Sequence, residues 1–205
     1  QSIPAFDYYM APGVVKSFRK EFKSLLFDFL ELEGFDKFLN MKGIEKEISK
    51  IKEVNFNMNA FEHFFKGSGD VELLFRKAHK KAIVKVEKLT YQAMESFIHN
   101  LNTMHSRAGA QVPFSSINFG TDTSFEGRMV IKNYLLATEA GLGHGETPIF
   151  PISIFKVKEG VNYNKTDPNY DLFELACKVS AKRLFPNFSF IDAPFNKQYY
   201  KEGNI

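Results

Sequence analysis

The 205-residue chain carries 27 basic and 24 acidic side chains for a formal charge of +3, and 44% of it is hydrophobic. That composition suits one large domain or a piece of a larger one with a real core, and it excludes a disordered or fibrous chain. The signs are mixed along the sequence, so bulk electrostatics gives no case for a nucleic-acid or anionic-membrane partner. With one cysteine, no signal-like stretch and no long apolar span, the chain points to a reducing, cytoplasmic setting.

The opening "QSIPAFDYYMAPG" has the look of a functional loop. Gln1 stands where an initiator methionine would, and "DAPFNKQYYKEGNI" closes the chain in a polar, aromatic loop, so the sequence reads as an excised segment. Pro12 sits where a helix takes its first residue, and Val15, Phe18, Phe22, Leu25, Leu26 and Phe29 recur at helical spacing up to Gly34. Residues 35–67 mix short helical patterns with Gly and Asn punctuation, which predicts broken helices. From Val71 the apolar positions 71, 75, 78, 82, 86, 89, 93, 97, 101 and 104 predict a helix of about 50 Å. Its run "RKAHKKAIVKVEK" reads as the solvated face. Residues 1–108 are thus a mainly helical region, with helices at about 12–33 and 70–106.

The pattern changes after Gly109. "QVPFSSINFG" predicts a strand with Phe114, Ser116 and Asn118 on one face and Ser115, Ile117 and Phe119 on the other. A helix from about Glu126 to Ala140, a strand in "IFPISIFKVK", a helix from Asn169 to Leu184 and a strand "NFSFID" follow. Strand, helix, strand, helix, strand over residues 109–205 is the rhythm of parallel α/β architecture.

In such folds functional residues gather at the carboxyl ends of strands and in the loops that follow. Here that place is "NFGTDTSFEGR", where Asn118, Thr121, Asp122, Thr123 and Ser124 offer donors and acceptors but no strong nucleophile or acid–base pair. The set suits a polyhydroxylated or phosphorylated ligand. It equally suits a turn in which Ser124 or Thr123 caps the next helix and Glu126 favours its first turn. Elsewhere, "GLGHGE" follows a helix and precedes a strand, the reverse of a dinucleotide fingerprint, and reads as a helix C-cap and turn. His99 and His105 are six apart and lack further ligands, so no metal site is expected. Cys177, in "LFELACKVSAKR", reads as a small core residue.

The blocks "HSRAGAQVPFSSINFGTDTSFEGR", "GLGHGETPIFPISIFKVKEGVN", "DPNYDLFELACKVSAKRLFPNFSFIDAPFN" and "QSIPAFDYYMAPG" closely resemble the anaerobic, glycyl-radical class of ribonucleoside-triphosphate reductases. The resemblance covers nearly the whole chain, with Phe125 standing where that family often has proline. It implies a partial segment of a ten-stranded α/β barrel, of the kind shared with pyruvate formate-lyase, and a fragment of one larger catalytic domain. It also implies that "PFSSINFG" lines a nucleotide site, with Ser115, Ser116, Asn118 and Thr121 serving the substrate and the inward face left open.

The family reduces ribonucleoside triphosphates to deoxyribonucleoside triphosphates for DNA synthesis. A radical on a C-terminal glycine, made by an activating S-adenosylmethionine iron–sulfur enzyme, passes to a finger-loop cysteine, and formate commonly supplies the electrons. By resemblance this chain stops just before that cysteine, and the glycyl-radical motif and structural zinc region lie later. Cys177 does not inherit the thiyl role, and no catalytic residue, cofactor or metal is assigned to this segment. The resemblance also implies a homodimer, with ATP and deoxynucleotide effectors bound near a helical interface to which the first helix contributes. Lys16 and Lys20 share one helix face and would meet an effector triphosphate together, or are simply solvated. Two alternatives remain: a stand-alone nucleotide-binding or regulatory module without catalysis, and a pyruvate formate-lyase relative, against which the quoted blocks argue.

Overall fold

A computed structural model describes residues 1–104 and 112–199. In chain order the elements are β1 (Ser2–Ile3), α1 (Phe6–Leu32), a 3-10 turn (Phe35–Lys37), α2 (Met41–Lys50), a second 3-10 turn (Met58–Phe61), α3 (Glu62–Phe65) and α4 (Gly69–Thr103). They continue with β2 (Ser116–Phe119), α5 (Phe125–Ala140), β3 (Ile152–Val157), α6 (Tyr170–Arg183), β4 (Asn187–Phe190) and α7 (Pro194–Lys197). The chain forms two units, one of Pro12–Leu89 and one of Gln1–Ala11 with Thr90 onward.

The Pro12–Leu89 unit is helical because its apolar residues fall at helical spacing and bury one stripe. Val15, Phe18, Phe22, Leu26 and Leu30 of α1 are buried, as are Phe75, Ala78, Ala82 and Val86 of α4. Phe18, Phe22 and Phe56 surround the His79 ring, which meets them edge-on at centroid distances of 5.4, 6.1 and 5.3 Å. His79 Nε2 lies 2.8 Å from the Val54 carbonyl oxygen, so the one polar edge in that cluster has its partner. The broken helices are explained by caps: the Asn40 side chain accepts from Gly43 N–H and that of Asn57 from Asn59 N–H. In "RKAHKKAIVKVEK" the charged positions 76, 77, 80, 81, 85 and 88 are exposed, as the solvated-face reading requires.

Two helix expectations are corrected. The first helix starts at Phe6, not Pro12, so "QSIPAFDYYMAPG" is a two-residue strand and a helix start rather than a loop. Pro12 lies inside the helix and withholds one N–H from the ladder, a cost of about 3 kcal/mol. Buried residues on both sides of it, Ala5, Phe6 and Asp7 before and Val14, Val15 and Phe18 after, hold the helix through that defect. In α4 the buried stripe runs 71, 75, 78, 82, 86 and then 90, 94 and 98, not 89, 93, 97 and 101. Successive four-residue steps overshoot a 3.6-residue turn, so the stripe drifts around the helix. The expected end of α4 at residue 106 lies outside the described residues.

The other unit is built on a parallel sheet of order β1-β2-β3-β4. Among the described residues β1 and β4 are its edges. Strand alternation separates two faces. Ile117, Phe119, Ser153, Phe155 and Val157 are buried, and Phe119 meets Tyr134 of α5 at 5.0 Å while Phe155 meets Phe173 of α6 at 6.2 Å. The Tyr134 hydroxyl shares a hydrogen bond with Ser153 Oγ, and burial pushes the phenol up to about 12. The opposite face, bearing Ser116, Asn118, Ile152, Ile154, Lys156, Asn187 and Ser189, contains no buried residue.

"GLGHGE" is the C-cap and turn that its order in the sequence implies. Gly141 ends α5, and Arg183 donates to the carbonyl oxygens of Glu139, Ala140 and Gly145, placing a cation at the negative end of that helix. Cys177 is exposed, which corrects its reading as a core residue. Leu172, Ala176 and Val179 form the buried stripe of α6, and Cys177 is one residue off it. Among the described residues no helix is long and apolar enough to cross a membrane.

Candidate functional site

The loop after β2 is held by groups that arrive from two distant parts of the chain, the start of α1 and the connection between β3 and α6. Asp7, fully buried in the first turn of α1, accepts on Oδ2 from the backbone N–H groups of Gly120 (2.8 Å), Thr121 (3.1 Å) and Asp122 (3.1 Å). Its Oδ1 accepts from Tyr8 N–H. Burial pushes the Asp7 carboxyl above its ordinary range, and the N–H groups of Asp122, Gly120 and Tyr8 pull against that rise. Asn162 Nδ2 donates to the carbonyl oxygens of Gly120 and Lys156, and Asn169 Nδ2 to those of Gly120 and Asp122. Both asparagines are fully buried. Arg128 fixes Asn169 in turn, donating to its Oδ1 at 2.8 Å and to the Asp171 carboxylate.

Two glycines make this loop possible. Gly120 has φ 119°, and a Cβ there would come within 3.0 Å of the Lys156 carbonyl oxygen. A Cβ at Gly127 would overlap the Asp122 carboxylate. Ser124 is the N-cap of α5, its Oγ accepting from Gly127 N–H at 3.0 Å, and Asp122 Oδ1 accepts from Ser124 N–H at 2.8 Å. Of the two readings left open for this stretch, the capped turn describes its backbone. The Asp7 carboxylate fills the cradle of three N–H groups that a ligand anion would otherwise find there.

The open face of the sheet is different, because its polar atoms are not all spoken for. Ser116 and Asn118 lie on it together, at the level of Ile152 and Ile154 of β3. Asn118 Oδ1 is shielded from solvent and has no hydrogen-bond partner. The same holds for Ser115 Oγ, one residue before β2 and therefore in the opposite register. Thr121, beyond the strand end, is half-buried with its N–H committed to Asp7. Lys16 and Lys20 are both exposed on α1, in the other unit. Lys156 is the one cation on the open face among the described strand residues. Burial pushes its ammonium down, and the Asp7 charge opposes that shift.

Sequence reading did not single out Asp7, Asn162, Asn169 or Lys156. Asp7 is more than 110 positions from the amides it binds, and its available signal was an acid in a helix first turn. Among the described residues no group of three or more His, Cys, Asp or Glu is placed to hold a metal ion. His99 is described; His105 lies outside the described residues.

Comparison with known proteins adds a family. A family model described as anaerobic ribonucleoside-triphosphate reductase matches residues 1–205. Curated proteins of that description are similar to this chain. The one from Enterobacteria phage T4 is 44% identical over 114 residues, 55% of this chain and 18% of the relative. That of Haemophilus influenzae is 38% identical over 112 residues, 54% and 15%, and that of Escherichia coli 39% over 101 residues, 49% and 14%. The matched stretch is thus a minor part of the length of those relatives. A match that runs from the first residue to the last, and relatives that all share one description, assign the chain to the anaerobic ribonucleoside-triphosphate reductase family.

Proposed function

We propose that this chain is a segment of a reductase that converts ribonucleoside triphosphates to deoxyribonucleoside triphosphates, and that the open sheet face lines its substrate site. The observation that carries the reading is a half-exposed polar sheet face with a buried, unpartnered Asn118 Oδ1, opposite a face sealed by helices. An amide offers both an acceptor and two donors, and Ser116 adds a hydroxyl, so the pair fits sugar hydroxyls that both give and take hydrogen bonds. Thr121 extends the set beyond the end of β2, whereas Ser115, in the opposite register, belongs to the covered side of the sheet. Further strands added at β1 and β4 would continue the sheet into a ten-stranded barrel with this face inward.

Hydrogen abstraction in this reading is supplied by a glycyl radical and a thiyl, with formate as reductant. Cys177 does not fit the thiyl role: it is exposed on α6, which packs on the helix-covered side of the sheet. The 205-residue chain by itself is therefore expected to make no deoxynucleotide. A structural zinc, an activating S-adenosylmethionine iron–sulfur enzyme, a homodimer and a cytoplasmic setting belong to the same proposal. So do the mainly helical region 1–108 as the dimer region and an effector contact at Lys16 and Lys20.

The test uses the full-length activated enzyme. Asn118→Ala and Ser116→Ala should weaken ribonucleotide binding and slow deoxynucleotide formation about tenfold or more, the size of one or two lost hydrogen bonds to substrate. Parental binding and turnover in both variants would refute the assignment of this face.

A further inference from the structure

The register of the open face puts the backbone of a cationic residue at a defined distance from the proposed sugar-binding pair. Asn118 of β2 stands opposite Ile154 of β3, and Ile154 stands opposite Asn187 of β4. Lys156 is two residues further along β3, opposite Ser189. Strands lie about 4.8 Å apart and two residues advance about 6.6 Å, so the backbone at Lys156 is about 8 Å diagonally from that at Asn118. The backbone displacement is toward the carboxyl ends of the strands, where ligands of parallel sheets collect. The side chain then crosses β2 to the Pro4 carbonyl oxygen, one residue beyond the Ile3 that pairs with Ile117, so the ammonium stays on the face that bears Asn118.

The ammonium is equipped for an anionic oxygen. It donates to the Pro4 carbonyl oxygen at 2.7 Å, which occupies one of its three N–H groups and holds the side chain in place. Among the described residues it forms no ion pair. The nearby Asp7 carboxylate is engaged by four backbone N–H groups. We propose that Lys156 is the phosphate-contacting residue of the open face, donating to a phosphate oxygen of the nucleotide whose sugar sits at Ser116 and Asn118. The inference rests on the reading of that face as the substrate site. The competing role is purely architectural, with Lys156 tying the segment after β1 to β3 through Pro4.

The test is equilibrium binding to the full-length protein of ATP, CTP, GTP and UTP, each beside its unphosphorylated nucleoside, in Lys156→Met, Lys156→Arg and Asn118→Ala. A phosphate contact predicts that Lys156→Met weakens triphosphate binding about tenfold or more, the scale of a charge-assisted hydrogen bond. Nucleoside binding should stay within about twofold of the parent, since only the phosphate contact is lost. The arginine variant should recover most of the triphosphate affinity, and the methionine variant should lose part of its salt dependence. Equal weakening of nucleoside and triphosphate, or no weakening of either, overturns the proposal. If Asn118→Ala weakens both ligands while Lys156→Met weakens neither, the face remains the substrate site and only the Lys156 assignment falls. If Asn118→Ala leaves both unchanged, the face reading falls and takes this inference with it. Should Lys156→Met not fold, Lys156→Gln, which keeps a donor for Pro4, is read by the same criteria.

Discussion

Replacing Asp7 by alanine removes the acceptor on which three consecutive amides converge. Gly120 and Asp122 donate from buried positions and Thr121 from a half-buried one. Each buried donor left without a partner costs about 1–3 kcal/mol, while the variant also escapes the cost of burying a carboxylate. A net loss of about 3 kcal/mol is expected, which corresponds to about two orders of magnitude in local opening. Hydrogen–deuterium exchange of the peptide spanning residues 118–125 in the full-length protein reads this directly. Asp7→Asn, which can turn its one carbonyl oxygen toward the three amides, should lie between alanine and the parent. Ionisation gives a second readout. A carboxyl whose folded pKa is raised takes up a proton on folding, so its contribution to stability falls as pH rises from the ordinary 3.8 through the folded value. That slope should vanish in Asp7→Asn. Parental exchange rates at 118–125 in Asp7→Ala would refute the claim that this carboxylate organises the loop.

Gly127→Ala should destabilise the full-length protein by about 2 kcal/mol or more through overlap with the Asp122 carboxylate, and adding Asp122→Ala should recover part of that loss, so the pair is non-additive in a melting-temperature cycle. Cys177→Ser should change stability by less than about 0.5 kcal/mol, because the side chain is exposed, and a maleimide should label Cys177 in the folded protein. That labelling should be slow near neutral pH, since desolvation, with a smaller contribution from Glu174, pushes the thiol up. Lys20→Ala should weaken binding of dATP or dGTP to the full-length enzyme at 0.1 M salt and less so at 1 M, where the Debye length has shrunk to about 3 Å; unchanged affinity and substrate selection would remove Lys20 from an effector site.

What the sequence made legible, and what it hid, follows from the range of the interactions involved. The strand and helix rhythm from β2 to β4 was readable because alternation in "SINF" and helical spacing in α5 and α6 are local signals. β1 was not readable, since two residues carry no period and its pairing is with Ser116 and Ile117, more than 110 positions away. Pro12 looked like a helix start because proline is favoured there; its tolerance inside α1 depends on buried residues on both sides. Cys177 misled because apolar neighbours in sequence do not share a helix face, one residue being a turn of about 100°. The candidate site divided in the same way. Ser116 and Asn118 were visible as polar residues in a strand, whereas their face, and the presence of Lys156 on it, required the register of β3 and β4. The hydroxyl-rich loop drew attention by composition, yet its order comes from Asp7, Asn162 and Asn169, three buried residues of ordinary type in unremarkable surroundings.

The most direct test of the account is photoaffinity labelling of the full-length protein with an azido-ribonucleoside triphosphate, followed by mass-spectrometric mapping. Label should fall on peptides containing Ser116–Asn118 and Ile154–Lys156 and should be displaced by unlabelled ribonucleoside triphosphate. Label confined to α5 and α6 on the covered side of the sheet, or absent from both strands while the protein still binds and reduces the nucleotide, would contradict the claim that the open sheet face is the substrate site.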